Sequence, residues 1–309
     1  MKKTVVFILT FVIALGSLAA CDGSPPEDSG GLSVAAATFP EYDISRAIAG
    51  DRASIRMLVP PGASAHSFEP SPGDIKNLRR TDVFIYIGCE SDLWIENVLK
   101  ALDTSDMKII RLTEHIDPLR EEVKPGMQAD EDEPGYDGHI WSSPKNAIKL
   151  IGVICDEFCE NDGENADFYR ANASAYREAL EAVDAEFTEV IENAKRKKIV
   201  VADKFPFLYF TRAYGLDYEA AFPGCAEQAD ASPATIARLV ETVKEEKIPY
   251  VYYAELSNAS AAKAVAEQTG AGTLPLNSCH NVSRADFDAG ATYLSLMRDN
   301  LENLRKGLI

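Results

Sequence analysis

Short apolar runs alternate along the chain with longer segments in which apolar residues recur every three or four positions. The short runs predict β-strands and the longer segments predict helices. The predicted strands are ASIRMLV (53–59), DVFIYIG (82–88), MKIIRL (107–112), KKIVVAD (197–203), LDYEAAF (216–222), PYVYYAEL (249–256) and GTLPLN (272–277). DVFIYIG is nearly all apolar, which is typical of a parallel strand covered on both faces. The alternation favours an α/β fold with parallel sheets.

Several predicted helices begin with a Ser-Pro pair. In the first of them we expect Ser71 to cap the helix, Pro72 to take the first helical position and Asp74 to face back toward the cap. The predicted helices are 71–81, 91–102, 142–161, 204–214, 232–246, 258–269 and a tail from about residue 284.

The longest predicted helix lies in the middle of the chain. Residues 165–197 contain neither Gly nor Pro, and their apolar residues recur at spacings of three, four or seven. We expect one continuous helix of roughly 48 Å rather than two broken ones. The sequence thus predicts two lobes, 33–163 and 198–309, each a parallel sheet flanked by helices, joined by a rigid linking helix at 164–197.

The amino terminus has the pattern of a secretory signal. A short basic start precedes an apolar run, and the run ends in LAAC, which resembles the bacterial lipobox. The resemblance implies a signal peptide at 1–20, lipidation of Cys21 and anchoring at the outer face of the cytoplasmic membrane. A plain transmembrane anchor is disfavoured because the run is short. Residues 21–32 follow as the lipidated cysteine and a flexible tether.

The net charge of −18 argues against binding to nucleic acid. Five cysteines remain besides Cys21, and an exported protein is permitted disulfides. Cys225 and Cys279 each follow a strand of the second lobe. Adjacent strands would bring them together, so we predict a disulfide between them, with two free thiols as the alternative.

Three of the four histidines lie in loops that follow predicted strands or precede predicted helices. These are His66, His139 and His280, while His115 lacks a helix start shortly downstream. Neutral imidazoles that converge from separate loops are the ligands of a zinc site. The alternative is that these are three unrelated surface or capping histidines. It is disfavoured because all three occur in equivalent loops of the predicted fold.

The chain resembles the solute-binding proteins of zinc and manganese ABC transporters over nearly all of the mature sequence. The segments that carry this resemblance are TFPEYDISRAIAGDRASIRMLVPPGASAHSFEPSPGDI, GHIWSSPKNA, FTRAYGLDY, YVYYAELSN and YLSLMRDNLENL. It implies a metal bound between two lobes, with His66 and His139 as the ligands of the first lobe.

The second lobe departs from the family pattern where a His or Glu is usual. A count back from Tyr209 without a gap reaches Lys204, and a protonated lysine has no lone pair to donate. One extra residue places Asp203 there instead. We therefore predict Asp203 as the fourth ligand beside His280, with Glu255, Cys279 or water as alternatives.

Two acidic features lie near these ligands in the sequence. Glu69 follows His66 by three residues and is a candidate to hydrogen-bond its second ring nitrogen. Residues 130–137 hold five acids just before His139, and we interpret them as a solvated loop that raises the local cation concentration.

The predicted function is capture of extracellular zinc by a monomeric, lipid-anchored receptor, followed by delivery to an ABC transporter permease. Three imidazoles favour zinc, with manganese as the alternative cargo. No enzymatic activity is expected. A zinc hydrolase would need an open ligand position and a general base, and the sequence has no His-Glu-x-x-His helix. A surface adhesin would explain the lipid anchor but not the histidines.

Overall fold

The computed structural model of the protein describes residues 31–89, 92–129, 135–226 and 230–309, with the side chain of His66 left out. The predicted signal peptide, Cys21 and most of the tether lie outside the described residues. Most of the acidic segment 130–137 lies outside them as well. None of the helices within the described residues has the length and apolar character needed to cross a bilayer.

Eight strands and ten α-helices are formed by the described residues. The strands are β1 Leu32–Ala36, β2 Ala53–Met57, β3 Val83–Tyr86, β4 Lys108–Arg111, β5 Lys198–Val201, β6 Asp217–Ala220, β7 Tyr250–Ala254 and β8 Gly272–Leu276. The helices are α1 Phe39–Ala49, α2 Pro72–Leu78, α3 Leu93–Ala101, α4 Pro144–Asn161, α5 Ala166–Glu192, α6 Leu208–Tyr214, α7 Pro233–Glu245, α8 Ser260–Thr269, α9 Arg284–Asp288 and α10 Tyr293–Leu308.

The strands form two four-stranded sheets, and every strand pair is parallel. The first sheet has the order β2-β1-β3-β4 and the second the order β6-β5-β7-β8. The same topology therefore occurs twice, with the order reversing at the second strand of each sheet. Ligands of such sheets bind where the order reverses, beyond the carboxyl ends of the strands. The prediction of an α/β fold with two lobes, each built on a parallel sheet, is confirmed.

One helix, α5, carries the chain from the first sheet to the second. It is continuous over 27 residues, about 40 Å at 1.5 Å per residue, and buries the predicted apolar face that includes Leu180, Val183 and Phe187. It ends at Glu192, five residues before the end of the predicted linking segment. The chain needs residues 193–197 to turn and enter β5 at Lys198.

Two further differences from the predicted elements concern the ends of the mature chain. β1 and α1 were not predicted, although β1 is a central strand of the first sheet. β1 also begins at Leu32, the last residue of the predicted tether. The predicted tail helix is divided into α9 and α10, because Gly290 between them has a φ of +82°.

The capping prediction for α2 is confirmed. The Ser71 hydroxyl accepts a hydrogen bond from the Asp74 N–H at 3.2 Å, and the Asp74 carboxylate accepts one from the Ser71 N–H at 2.8 Å. This reciprocal pair fixes the far end of the loop that contains His66.

A buried aspartate ties three helices together. Asp43 in α1 is 1% exposed, and its carboxylate accepts hydrogen bonds from the guanidinium of Arg46 at 2.7 Å, the Tyr176 hydroxyl at 2.8 Å and the Tyr293 N–H at 2.8 Å. Tyr176 lies in α5 and Tyr293 begins α10. Asp43 therefore links the first lobe to the linking helix and to the last helix of the chain.

A second buried acid in α1 makes the stability of the fold depend on pH. Glu41 accepts hydrogen bonds from the N–H and the hydroxyl of Thr38, both at 2.8 Å. Complete burial raises the pKa of Glu41 from 4.5 to about 7, against the opposing effect of these hydrogen bonds.

Between a pH of 4.5 and a pH of about 7, Glu41 therefore keeps its proton in the folded protein and loses it in the unfolded chain. Its contribution to stability is complete below the unfolded pKa of 4.5 and is lost as the pH rises through about 7. We expect the free energy of unfolding to fall by roughly 3 kcal/mol from this group between about pH 5 and about pH 8. Urea unfolding at a series of pH values checks this. Glu41→Gln mimics the protonated acid, so the free energy of unfolding of this variant should change less with pH than that of the wild type. The same pH dependence in both proteins would refute the role of Glu41.

Candidate metal centre

A cavity of about 420 Å³ lies between the loops that leave the carboxyl ends of the two sheets. Its lining includes His139 from the first lobe and His280, Asp203 and Glu255 from the second. Asp203 follows β5 and Glu255 follows β7, so these two acids flank the point where the strand order of the second sheet reverses. The cavity is therefore where ligand binding is expected in this topology.

His139 is buried, and its ring is oriented by Asp137. The Asp137 carboxylate accepts a hydrogen bond from the His139 N–H at 2.7 Å and lies 2.8 Å from Nδ1 of the ring. An Nδ1–H donated to Asp137 leaves Nε2 as the nitrogen with a lone pair. Burial alone lowers the pKa of His139, but the adjacent Asp137 carboxylate outweighs burial and raises it above its ordinary value.

Close approach of the second lobe to this histidine requires a glycine. A Cβ atom on Gly224 would lie 3.2 Å from Nδ1 of His139 and 2.9 Å from the carbonyl oxygen of Phe205. The segment after β6 therefore packs directly on the His139 ring, which bridges the two lobes.

Trp141 holds the two histidines beside each other. Its ring centroid lies 5.4 Å from that of His139 and 4.9 Å from that of His280, and its Nε1–H donates to the Ser278 carbonyl at 2.8 Å. The two imidazole centroids are 5.5 Å apart, with the rings perpendicular. A fully buried tryptophan thus places one histidine from each lobe on the same cavity.

The loop that carries His280 is fastened by Glu255. The Glu255 carboxylate accepts hydrogen bonds from the Ser278 N–H at 2.6 Å, from the Ser278 hydroxyl, and from the His280 N–H at 3.2 Å. Burial raises the pKa of Glu255, and these hydrogen bonds oppose the rise. Because both of its oxygens accept these hydrogen bonds, Glu255 stabilises the conformation of the loop.

Backbone strain is concentrated at this cavity. Among the described residues other than glycine, four have a positive φ, and three of them, Leu256, Ala259 and Cys279, lie in loops of the second lobe beside it. Such conformations cost of order 1–3 kcal/mol each and cluster at functional sites.

Asp203 presents a carboxylate oxygen that has no hydrogen-bond partner among the described residues. Its Oδ1 accepts from the Lys204 N–H at 2.9 Å, while Oδ2 is buried and unpartnered. A buried carboxylate oxygen without a donor is costly unless a cation satisfies it. Lys204 lines the same cavity beside it.

The His66 loop reaches the same place. His66 lies in a 3₁₀ turn, Ala65–Ser67, and the preceding residues 63–65 line the cavity. The Asn281 side-chain amide donates to the carbonyls of Pro60 at 2.9 Å and Ala63 at 2.7 Å. The loop of the first lobe is therefore tied to the residue that follows His280, but the His66 side chain lies outside the described part of the chain.

The structure does not bring every candidate to the cavity. Among the described residues, which do not include the His66 side chain, no three His, Cys, Asp or Glu side chains lie close enough together to hold a metal ion. Glu69 is exposed, and its predicted contact with His66 stays a prediction. His115 is exposed after β4, apart from the other histidines.

The strand order disfavours the predicted disulfide between Cys225 and Cys279. Cys225 follows β6 and Cys279 follows β8, and these strands are the opposite edges of the second sheet. Three strand spacings, roughly 14 Å, separate β6 from β8, which is more than a disulfide spans. Cys279 is fully buried, which raises the pKa of its thiol well above the ordinary value and disfavours it as a metal ligand.

Sequence reasoning missed Asp137 as the partner of His139. The sequence feature that could have identified Asp137 is its position two residues before the predicted ligand His139. However, Asp137 closes an acidic segment that resembles a solvated loop, and only the fold shows that this last acid is 2% exposed.

Comparisons with known proteins show which family the chain resembles. The model of a family described as ZnuA, zinc-uptake complex component A, periplasmic, matches residues 34–307. The zinc-binding lipoprotein AdcA of Streptococcus pneumoniae is 30% identical over 98% of this chain, which spans 61% of the length of AdcA. The high-affinity zinc uptake system protein ZnuA of Bacillus subtilis is 27% identical over 97% of both proteins.

Solved structures show the same architecture. The Zn(II)-bound ZnuA-like domain of Streptococcus pneumoniae AdcA superposes with a TM-score of 0.76 at 30% identity, covering 90% of this chain and 99% of that domain. The laminin-binding protein Lmb of Streptococcus agalactiae, described as bifunctional with adhesin and metal-transporting activity, gives a TM-score of 0.72 at 26% identity, covering 90% and 100%.

Proposed function

Because the chain belongs to the ZnuA family of periplasmic zinc-uptake components, we propose that it captures zinc outside the cytoplasm and delivers it to an ABC transporter permease. The observation that carries this proposal is the pair His139 and His280, one from each lobe, with ring centroids 5.5 Å apart on one cavity. Imidazoles from both lobes allow a metal ion to join the lobes as it binds.

We infer that zinc is held by His66, His139 and His280, with Asp203 as the fourth ligand. Asp203 is supported by its unpartnered, buried Oδ2. Its alternative Glu255 is disfavoured because its oxygens already accept the hydrogen bonds of the His280 loop. Three nitrogens and one carboxylate oxygen suit zinc better than manganese, which prefers more oxygen ligands.

The protein binds and transfers its cargo without changing it chemically. A zinc hydrolase requires a position open for a reacting water and a general base beside it, whereas a solute-binding role requires neither. We propose that the receptor acts as a monomer and is held by a lipid on Cys21 at the outer face of the cytoplasmic membrane. Release would follow when the permease separates the two lobes.

Metal titration of the compact unit that begins at Gly31 tests the proposal. We expect one tightly bound zinc per chain, measured by competition with a chromophoric chelator, and displacement of manganese by zinc. Absence of tight zinc binding would refute it, and tighter binding of manganese than of zinc would reassign the cargo.

Asp137 should strengthen metal binding through His139. Asp137→Asn removes the charge that fixes the ring tautomer, so we expect zinc affinity to fall by roughly 10–100-fold near neutral pH. The same change lowers the pKa of His139, so protons compete less with zinc for its ring. The difference in zinc affinity between this variant and the wild type should therefore be smaller at acidic pH. Asp117→Asn, the same change at an exposed position, is the control. Equal affinities for both variants would contradict the role of Asp137.

The likeness to Lmb favours surface adhesion as a second candidate function. Binding of the protein to immobilised laminin, compared with zinc present and absent, tests it. Saturable binding would support adhesion, and its absence would leave metal capture alone.

A further inference from the structure

Two cysteines from different lobes pack on the same glycine behind His139. Cys89 lies in the segment after β3, and Cys225 lies in the turn after β6. A Cβ atom on Gly138 would lie 2.4 Å from both Cβ and Sγ of Cys89, so this thiol is in contact with the glycine backbone. The Gly138 N–H is close enough to the Cys225 sulfur to oppose part of the rise that burial causes in the pKa of this thiol. The absence of a side chain at position 138 is what lets the Cys89 sulfur approach.

The backbone that carries each cysteine is held in place. The Cys225 N–H donates to the Glu121 carboxylate at 2.7 Å, and the Asp92 N–H donates to the Cys89 carbonyl at 3.0 Å. The Cys89 thiol interacts with the Asp92 carboxylate. Gly224, next to Cys225, lies against the His139 ring. Both cysteines are therefore presented by fixed segments, one from each lobe, at the same side of the metal centre.

We propose that Cys89 and Cys225 form a disulfide that joins the two lobes beside the metal centre. The proposal rests on the proposed location outside the cytoplasm, where disulfides persist. The oxidant is a disulfide of a small thiol or of an oxidoreductase. One cysteine thiolate attacks a sulfur of the oxidant and displaces one thiolate. The second cysteine thiolate then attacks the mixed disulfide and displaces the other. The two cysteines lose two electrons and two protons, and the oxidant is reduced to two thiols.

The other cysteines do not offer this connection. Cys155 and Cys159 lie in one helix with their sulfurs 4.0 Å apart, so a bond between them would constrain neither lobe against the other. Cys279 is fully buried at the far edge of the second sheet. Only the pair at Gly138 spans the lobes among the cysteines of the described residues.

A bond at this position would restrain the segments on both sides of His139. It would oppose separation of the lobes, which the proposed release step requires. The oxidised protein should therefore unfold at a higher temperature and release zinc more slowly than the reduced protein.

The test uses the purified protein, reduced with dithiothreitol, freed of metal and then exposed to oxidised glutathione while folded. After alkylation of the remaining thiols and proteolysis, mass spectrometry should find a linked peptide that contains Cys89 and Cys225 and that separates on reduction. The melting temperature should rise by roughly 5 °C or more on oxidation. Cys225→Ser should abolish both effects, and the matched variant Cys279→Ser should retain both.

Each other outcome overturns the proposal. These outcomes are linkage of Cys155 to Cys159 alone, glutathione on Cys89 or Cys225 without a cross-link, and no reaction in the folded wild-type protein. Zinc titration of the reduced protein separates this proposal from metal capture. Tight zinc binding without a cross-link overturns only the disulfide, and a cross-link without zinc binding overturns only metal capture.

Discussion

A His139→Ala variant is expected to bind zinc roughly a hundredfold to a thousandfold more weakly than the wild-type protein. A site of four ligands is worth about 10–16 kcal/mol, so each ligand contributes a few kcal/mol, and 1.4 kcal/mol is tenfold in affinity. The loss should be large here because the ring of His139 is oriented before metal binds, by Asp137 on one side and Trp141 on the other. Competition with a chelator at neutral pH measures it.

His115→Ala is the matched control, because His115 is an exposed histidine outside the cavity. Its zinc affinity should equal that of the wild type. His280→Ala should resemble His139→Ala, since the two rings line the same cavity from opposite lobes. Equal affinities for the His139 and His115 variants would overturn the assignment of His139 as a ligand.

Asp43→Ala is expected to lower the free energy of unfolding by about 3–5 kcal/mol. The variant removes the acceptor shared by Arg46, the Tyr176 hydroxyl and the Tyr293 N–H. The last two donors would be left in the interior without a partner. Urea unfolding of the metal-free protein measures the change.

Asp167→Ala provides the comparison. Asp167 also pairs with an arginine of its own helix, at 3.1 Å from Arg170, but it is fully exposed. Exposed ion pairs of this kind contribute little to stability. The free energy of unfolding of this variant should therefore be close to that of the wild type. Similar losses in the two variants would show that burial of Asp43 does not govern its contribution.

All seven predicted strands contain a strand of the structure. β1 was missed because its sequence, LSVAA, is dominated by small residues and follows a polar tether. Alanine is depleted in strands, yet here the two alanines of β1 are buried where α1 and the neighbouring strands pack on the centre of the sheet. The demand for small residues arises from packing, which a local pattern does not reveal.

The order of the strands was equally hidden from the sequence. The prediction of a disulfide between Cys225 and Cys279 assumed that their strands are neighbours, but β5 and β7 lie between them.

The candidate site was partly readable because loops at the carboxyl ends of parallel strands converge. This rule places His139 and His280 on one cavity, as the structure shows. It does not identify which acids are buried, and so it missed Asp137 and left the choice between Asp203 and Glu255 to hydrogen bonding. The side chain of His66 remains a sequence prediction, supported by the position of its loop.

The hydrogen bonds of Asp43 also have a consequence for how the protein is made. The bond from Tyr293 joins residues 250 positions apart, and the one from Tyr176 joins residues 133 apart. A nascent chain that ends before α10 has an aspartate in its first helix that lacks one of its buried donors. Such long-range contacts form late in folding. The set of hydrogen bonds to Asp43 is therefore completed only when nearly the whole polypeptide is available.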